Sequence, residues 1–127
     1  MTSIVNLKTF SDGRGNLTVI EKVVPFNIRR IFYIYNVGNS TRGHHRHRST
    51  IQAAVSIQGS CSIWSKNKDY GKVKEYVLDK PDKCLIIKPE DYHWMDNFSD
   101  NCILMVFASE YYDEKDYILF KALQAQF

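Results

Sequence analysis

A chain of 127 residues can bury one hydrophobic core but not two. With 44% hydrophobic and 24% charged residues, only six Gly and three Pro, it is neither disordered nor of low complexity. The net charge of +3, with Asp and Glu scattered throughout, is too small for a dedicated nucleic-acid binder and suits an anionic small molecule equally well.

In chain order, the start Met1–Phe10 lacks a basic region followed by an apolar stretch, so no secretory signal is expected. Short apolar or alternating runs then recur at 17–23, 29–37, 51–59, 61–65, 73–79, 83–89 and 101–109. Turn signals separate them, among them "SDGRGN", "VGNSTRG", "KNKDYG", "DKPD" and "PEDYH". Many short strands at close spacing predict a sandwich or small barrel. The longest apolar run, Cys102 to Ala108, is far too short to span a bilayer. Cys61, Cys84 and Cys102 are odd in number and sit inside apolar stretches without paired spacing. They read as buried reduced thiols of a cytoplasmic protein, not a zinc ribbon or disulfide framework. From Asp113, an acidic cap followed by the pairs Ile118/Ala122 and Leu119/Leu123 predicts a short C-terminal α-helix. No repeat or linker divides the chain, so residues 1–127 form a single all-β domain with one terminal helix.

Three histidines and three arginines fall between Arg42 and Arg48. On a strand, His45 and His47 share one face and Arg46 and Arg48 the other. The two histidines are then about 6.5 Å apart along the backbone. Gly43 allows a tight turn into that strand. If the histidine face points into a barrel, Tyr33 or Tyr35 of a neighbouring strand can line the same pocket.

Two chemistries compete for this pattern. His-x-His on a strand is half of the metal site in cupin-type barrels, and "PEDYHWMDN" places His93 where a later ligand would stand. The expected carboxylate is missing, since no Asp or Glu follows His47 before Asp69. Arg42, Arg46 and Arg48 also crowd the site, which argues against a divalent cation. Alternatively, nearby positive charge keeps a histidine neutral and able to take a proton from carbon beside a carbonyl. Arg42 would then stabilise the enolate or hold a phosphate, with His45 serving the oxygen and His47 the carbon. A functionless polar surface cluster is the plainer third reading, and spacing alone specifies no reaction.

The stretches "SDGRGNL", "RRIFYIYNV", "RGHHRHRSTIQ", "QGSC", "PEDYH" and "ASEYYDEKDYI" resemble the nucleotide-sugar 3,4-ketoisomerases, small cupins that act on TDP-4-keto-6-deoxyglucose. The resemblance runs from about Asp12 to Ile118. It implies a jelly-roll β-barrel, a homodimer often with exchanged strands, and neither metal nor organic cofactor. The implied reaction moves the ketone from C-4′ to C-3′ through an enediol. An aminotransferase and an acetyltransferase would then act on the product, giving 3-amino-3,6-dideoxysugars for surface glycans such as the O-antigen of lipopolysaccharide. Residue by residue, His47 matches the base, His45 its partner, and Tyr33 and Arg42 pocket groups that orient the sugar or stabilise charge. Gln52 would brace a histidine. Arg14 and His93 match the pair associated with galacto rather than gluco products. Trp64, Trp94 or a tyrosine would stack on thymine. Two departures stand out: Arg46 where simpler members carry Ala, and the extra His44. The "RHRSTIQ" version is similar to members fused to an acyltransferase. A metal-dependent cupin oxygenase, a 3,5-epimerase and a non-catalytic nucleotide-sugar-binding module are the alternatives.

Overall fold

The computed structural model describes residues 1–120. Two five-stranded sheets carry the fold. The first has the order β1-β9-β6-β11-β4, built from Ser3–Asn6, Lys83–Ile87, Gln52–Gln58, Ile103–Ala108 and Arg30–Tyr35. The second has the order β12-β5-β10-β7-β8, built from Tyr117–Leu119, Arg42–His47, Asp91–Asp96, Cys61–Asn67 and Lys74–Leu78. A separate hairpin pairs β2 (Lys8–Asp12) with β3 (Gly15–Val19). Every pairing is antiparallel, giving the jelly-roll barrel expected of a cupin.

The space between the sheets is filled from both sides. Ala54, Leu85, Leu104 and Val106 of the first sheet meet Ile63, Leu78 and Met95 of the second, with Phe32 and Ile34 packed against them. The outer face of the first sheet is also covered. Ala53, Val55, Cys84, Ile86 and Phe107 lie under Leu7, Val23, Val24 and Phe26. Both faces of β6, β9 and β11 are therefore apolar, which is why these runs show no polar alternation. The three cysteines are free and buried, as expected.

The entry to β5 is irregular. Gly43 and His44 both have positive φ, +97° and +64°. A Cβ at Gly43 would lie 2.9 Å from the His93 carbonyl oxygen, so only glycine lets β5 approach β10 this closely. The β5–β10 register slips between His93 and Trp94, directly beside this bulge. The result sets His45 opposite His93.

The tail differs from the expected helix. Asp113 does cap a helical turn, its side chain accepting from the Lys115 amide, but the turn is a 3-10 helix of three residues, Glu114–Asp116. Tyr117–Leu119 then pair with β5 as a strand. The open edge of β5 presents unpaired backbone groups, and satisfying them outweighs the helical periodicity of this segment. Ala122 and Leu123, the far halves of the predicted i, i+4 pairs, lie outside the described residues. Among the described residues no helix is long and apolar enough to cross a membrane.

Candidate active site

β5 sends His45 and His47 inward, and β10 sends His93 to meet them. The His45 ring lies 4.8 Å from that of His93 and 5.2 Å from that of His47, centre to centre. His47 and His93 stand 5.9 Å apart with nearly parallel rings. His47 is 2% exposed and His93 1%. β12 closes the group with Tyr117, whose ring is 4.7 Å from His45 and 4.6 Å from His47.

Asp116 holds the cluster in register. Its Oδ2 accepts from His47 Nδ1 at 2.7 Å and from the Thr50 hydroxyl at 2.5 Å. Its Oδ1 accepts from the Arg48 and Ser49 amides at 3.1 and 2.9 Å and from the Ser49 hydroxyl at 3.1 Å. The turn after β5 thus wraps its donors around one carboxylate. Burial opposes ionisation of Asp116, but the Thr50 hydroxyl, the Ser49 amide and His47 together hold it well below the usual carboxylate range. An ionised carboxylate can only accept, so His47 donates through Nδ1 and carries its lone pair on Nε2. That Nε2 is buried without a protein partner.

All three imidazoles are held neutral near pH 7. Burial, with the neighbouring His47 next, lowers His45 to about 4. Burial also lowers His47, outweighing the opposite pull of Asp116, and the charge of Arg30 adds to the lowering. His93 falls well below its ordinary value through burial and then the other two histidines. The expected neutrality is present, but its main cause is desolvation. Arg46 and Arg48 point away: the Arg46 guanidinium lies 5.6 Å from the Tyr92 ring centre, and Arg48 Nε donates to the Lys115 carbonyl.

The remaining predicted residues are dispersed. Arg42 stands exposed at the start of β5, opposite Met95. Gln52 is buried at the start of β6, yet its Oε1 has no partner and it makes no hydrogen bond to a histidine. The bracing role falls instead to Asp116. Tyr33 does not join the pocket within one chain. It is 60% exposed and stacks on Tyr35, because β4 turns Phe32 and Ile34 toward the core and its odd-numbered residues outward. Arg14 sits at the tip of the β2–β3 hairpin, 91% exposed and paired with Asp12 at 2.7 Å. Trp64 and Trp94 stack on each other, and Trp94 on His44, on the sheet face opposite His93 and Met95.

Arg30, Asp116, Tyr117 and Thr50 were not singled out by sequence reasoning. Arg30 shares the inward face of β4 with Phe32 and Ile34, and its buried Nε has no partner. Its guanidinium lies 5.2 Å from the Phe32 ring centre and 5.6 Å from that of Tyr112. Asp116 and Tyr117 lie inside the "EYYDEKDYI" stretch that carries the family resemblance, which was the available signal. A carboxylate-oriented neutral imidazole, flanked by two more and by a tyrosine and a cation, is equipped to take a proton from carbon and pass it across a bound molecule.

Comparison with known proteins places this geometry. The family described as "FdtA: WxcM-like, C-terminal" matches residues 1–122. The TDP-4-oxo-6-deoxy-alpha-D-glucose-3,4-oxoisomerase of Aneurinibacillus thermoaerophilus is 41% identical over 118 residues, covering 91% of this chain and 84% of that protein. A mutant of the 3,4-ketoisomerase QdtA from Thermoanaerobacterium thermosaccharolyticum, solved with TDP-4-keto-6-deoxyglucose, superimposes with a TM-score of 0.87 at 35% identity, covering 99% of this chain and 96% of that one. The TDP-quinovose 3,4-ketoisomerase WlaRB of Campylobacter jejuni gives 0.88 at 33% identity, covering 99% and 98%. With its length matched almost throughout and its histidine pocket set in the same barrel, the chain belongs to the FdtA family of sugar 3,4-ketoisomerases.

Proposed function

We propose that this protein converts TDP-4-keto-6-deoxy-D-glucose into the TDP-3-keto-6-deoxy sugar by proton transfer through an enediol intermediate, without a cofactor. The observation that carries the reading is the buried, unpartnered Nε2 of His47, fixed as an acceptor by Asp116. In this reading Nε2 removes the C-3′ proton, and the electron pair forms the C-3′–C-4′ double bond of an enediolate. The proton on the C-3′ oxygen passes to the C-4′ oxygen side by way of His45, and a proton returns to carbon at C-4′. The ketone then stands at C-3′. Arg30, a cation near His47 with a free Nε, supplies charge for the enediolate in place of the exposed Arg42.

His93 is the proposed source of the C-4′ proton on the opposite face of the sugar, which gives the galacto product. Its support is its place at 4.8 Å from the His45 ring, within relay distance of the other two imidazoles. The product is a ketone at C-3′, the substrate an aminotransferase needs, with an acetyltransferase acting after it. Three free buried thiols are consistent with a cytoplasmic setting.

A homodimer completes the reading. Tyr33, Tyr35, Ile57, Ile103 and Met105 form an apolar patch on the outer face of the first sheet, and Phe10 and Leu17 are exposed on the unattached β2–β3 hairpin. A partner chain covering this patch, with the hairpin exchanged, would give Tyr33 and Arg14 a site to serve.

The test is His47→Asn. Turnover should fall by about 10²–10⁴-fold, the range for loss of a positioned general base. TDP affinity should hold within a few-fold, since thymine and diphosphate contacts need not involve His47. Turnover surviving in the variant would remove the base from the mechanism, and loss of TDP affinity in parallel would favour a binding module.

A further inference from the structure

We propose that Tyr112 is a positioning residue for the isomerisation: together with Phe32 it holds the Arg30 guanidinium beside the histidine pocket as a cation without a counter-ion. The proposal rests on the reading of Arg30 as the charge that stabilises the enediolate. The Arg30 guanidinium carbon lies 5.2 Å from the Phe32 ring centre and 5.6 Å from that of Tyr112. Both distances fall inside the roughly 6 Å over which a ring face attracts a cation.

The way this arginine is held matters for what it can do. Among the described residues no salt bridge reaches Arg30, and its buried Nε has no protein partner. A carboxylate on the guanidinium would offset the charge that an enediolate needs and occupy its N–H donors. A ring face attracts the charge and takes up no N–H, so the donors stay available to a developing oxyanion. Arg29, one position earlier, points outward, and Glu110 takes its guanidinium at 3.1 Å. The neighbouring carboxylate is thereby kept off Arg30. The loop that carries Tyr112 is short and tied at both ends. The Ser109 amide donates to the Ile51 carbonyl at 3.0 Å, its hydroxyl accepts from the Ile51 amide at 2.9 Å, and Asp113 caps the turn that follows. The Tyr112 ring also lies 5.8 Å from that of Tyr117, which packs on His45 and His47. One side chain thus joins the cation to the wall of the pocket. At 65% exposure Tyr112 adds little to the core, so replacing it tests function more than folding.

The experiment combines steady-state turnover of the sugar nucleotide with nitrogen–proton NMR of the arginine side chains. Tyr112→Leu should lower kcat by about 10–100-fold, the scale for a reacting group displaced by about 1 Å, and leave KM within a few-fold. Tyr112→Phe keeps the ring and should restore most of the loss. In an Arg30→Met background, Tyr112→Leu should cost nothing further, because the group it acts through is gone. The NMR readout needs no turnover. The Arg30 Nε–H signal, identified by its absence in Arg30→Met, should stand upfield under the two rings. It should move downfield in Tyr112→Leu and stay in place in Tyr111→Leu. Unchanged kcat in Tyr112→Leu, an equal loss in Tyr112→Phe, or a full further loss in the Arg30→Met background would overturn the proposal. A rise in KM alone would overturn it too, since the arginine would then hold the ground state. A wild type inactive on the sugar nucleotide would refute the reading of function and the catalytic half of this proposal with it. An Arg30 signal unmoved in Tyr112→Leu would refute the aromatic hold itself, whatever the activity.

Discussion

Replacing Asp116 by Asn changes one atom and should silence the pocket. In the native chain Oδ1 accepts from two amides and the Ser49 hydroxyl, while Oδ2 serves His47 and Thr50. In Asp116→Asn the carbonyl oxygen must take the Oδ1 position, because the Arg48 and Ser49 amides can only donate. The NH₂ group then faces His47 Nδ1. The ring must present its lone pair there and carry its proton on Nε2, so the atom aimed at the substrate becomes a donor. An equivalent aspartate-to-asparagine change in a serine protease triad costs about 10⁴-fold through this wrong tautomer, so a loss of about 10³–10⁴-fold in kcat is expected here. KM should change little, because Asp116 lies behind the histidine. A charge-assisted hydrogen bond contributes about 1.5–3 kcal/mol, which sets the expected stability loss near neutral pH. The sign of its pH dependence follows from the depressed carboxyl. Stability from Asp116 is fully present above its unfolded value of 3.8 and is lost as pH falls below it. The assay is steady-state turnover alongside thermal unfolding from neutral to acid pH, in wild type and variant. A correctly folded Asp116→Asn protein retaining more than a tenth of wild-type kcat would refute the orienting role.

Other perturbations test separate parts of the account. Turnover should decline on the acid side only below the ordinary histidine value of 6.5, because burial lowers His47; a pH–rate profile with its acid limb above 6.5 would contradict this. Stability should fall in the same direction, since the unfolded chain protonates His45 between 6.5 and about 4 while the folded chain does not; acid unfolding should be milder in His45→Gln. Gly43→Ala places a Cβ 2.9 Å from the His93 carbonyl at a φ of +97°, and should cost about 1–3 kcal/mol in unfolding measurements and most of the turnover. The double variant Tyr33→Glu, Ile57→Asp charges the exposed apolar patch of the proposed dimer interface and should sediment as a monomer where the wild type sediments as a dimer; a monomeric wild type would refute the dimer, and a dimeric variant would place its interface elsewhere.

The sequence makes much of this site legible because strand alternation is a simple rule. Once residues 42–48 are taken as a strand, His45 and His47 must share a face, and the arginines must leave it. The β5 bulge at Gly43 and His44 lies ahead of the pair and does not break that alternation. Asp116 is different: 69 positions separate it from His47, and only the docking of β12 on the edge of β5 joins them. The same docking explains why Tyr117–Leu119 form a strand where the spacing predicts a helix, since helical spacing within a segment carries no information about a distant open edge. Arg30 and Tyr33 are hard to place from the sequence for a third reason. "RRIFYIY" offers aromatic or apolar side chains on both faces, so period-two reasoning finds no contrast to orient it, and the packing of Phe32 and Ile34 decides. The arginines of the motif predict low histidine basicity, whereas the structure produces it mainly by burial, which no local pattern reports.

The most direct measurement follows TDP-4-keto-6-deoxyglucose by proton NMR in D₂O with the purified, chelator-treated protein. The account predicts a 3-keto product carrying deuterium at C-4′, with the galacto configuration there if His93 delivers the proton. A gluco product would remove His93 from that role while leaving His47 in place. Exchange at C-3′ and C-5′ with inversion, or no change while TDP still binds, would contradict the central claim that His47 drives 3,4-ketoisomerisation.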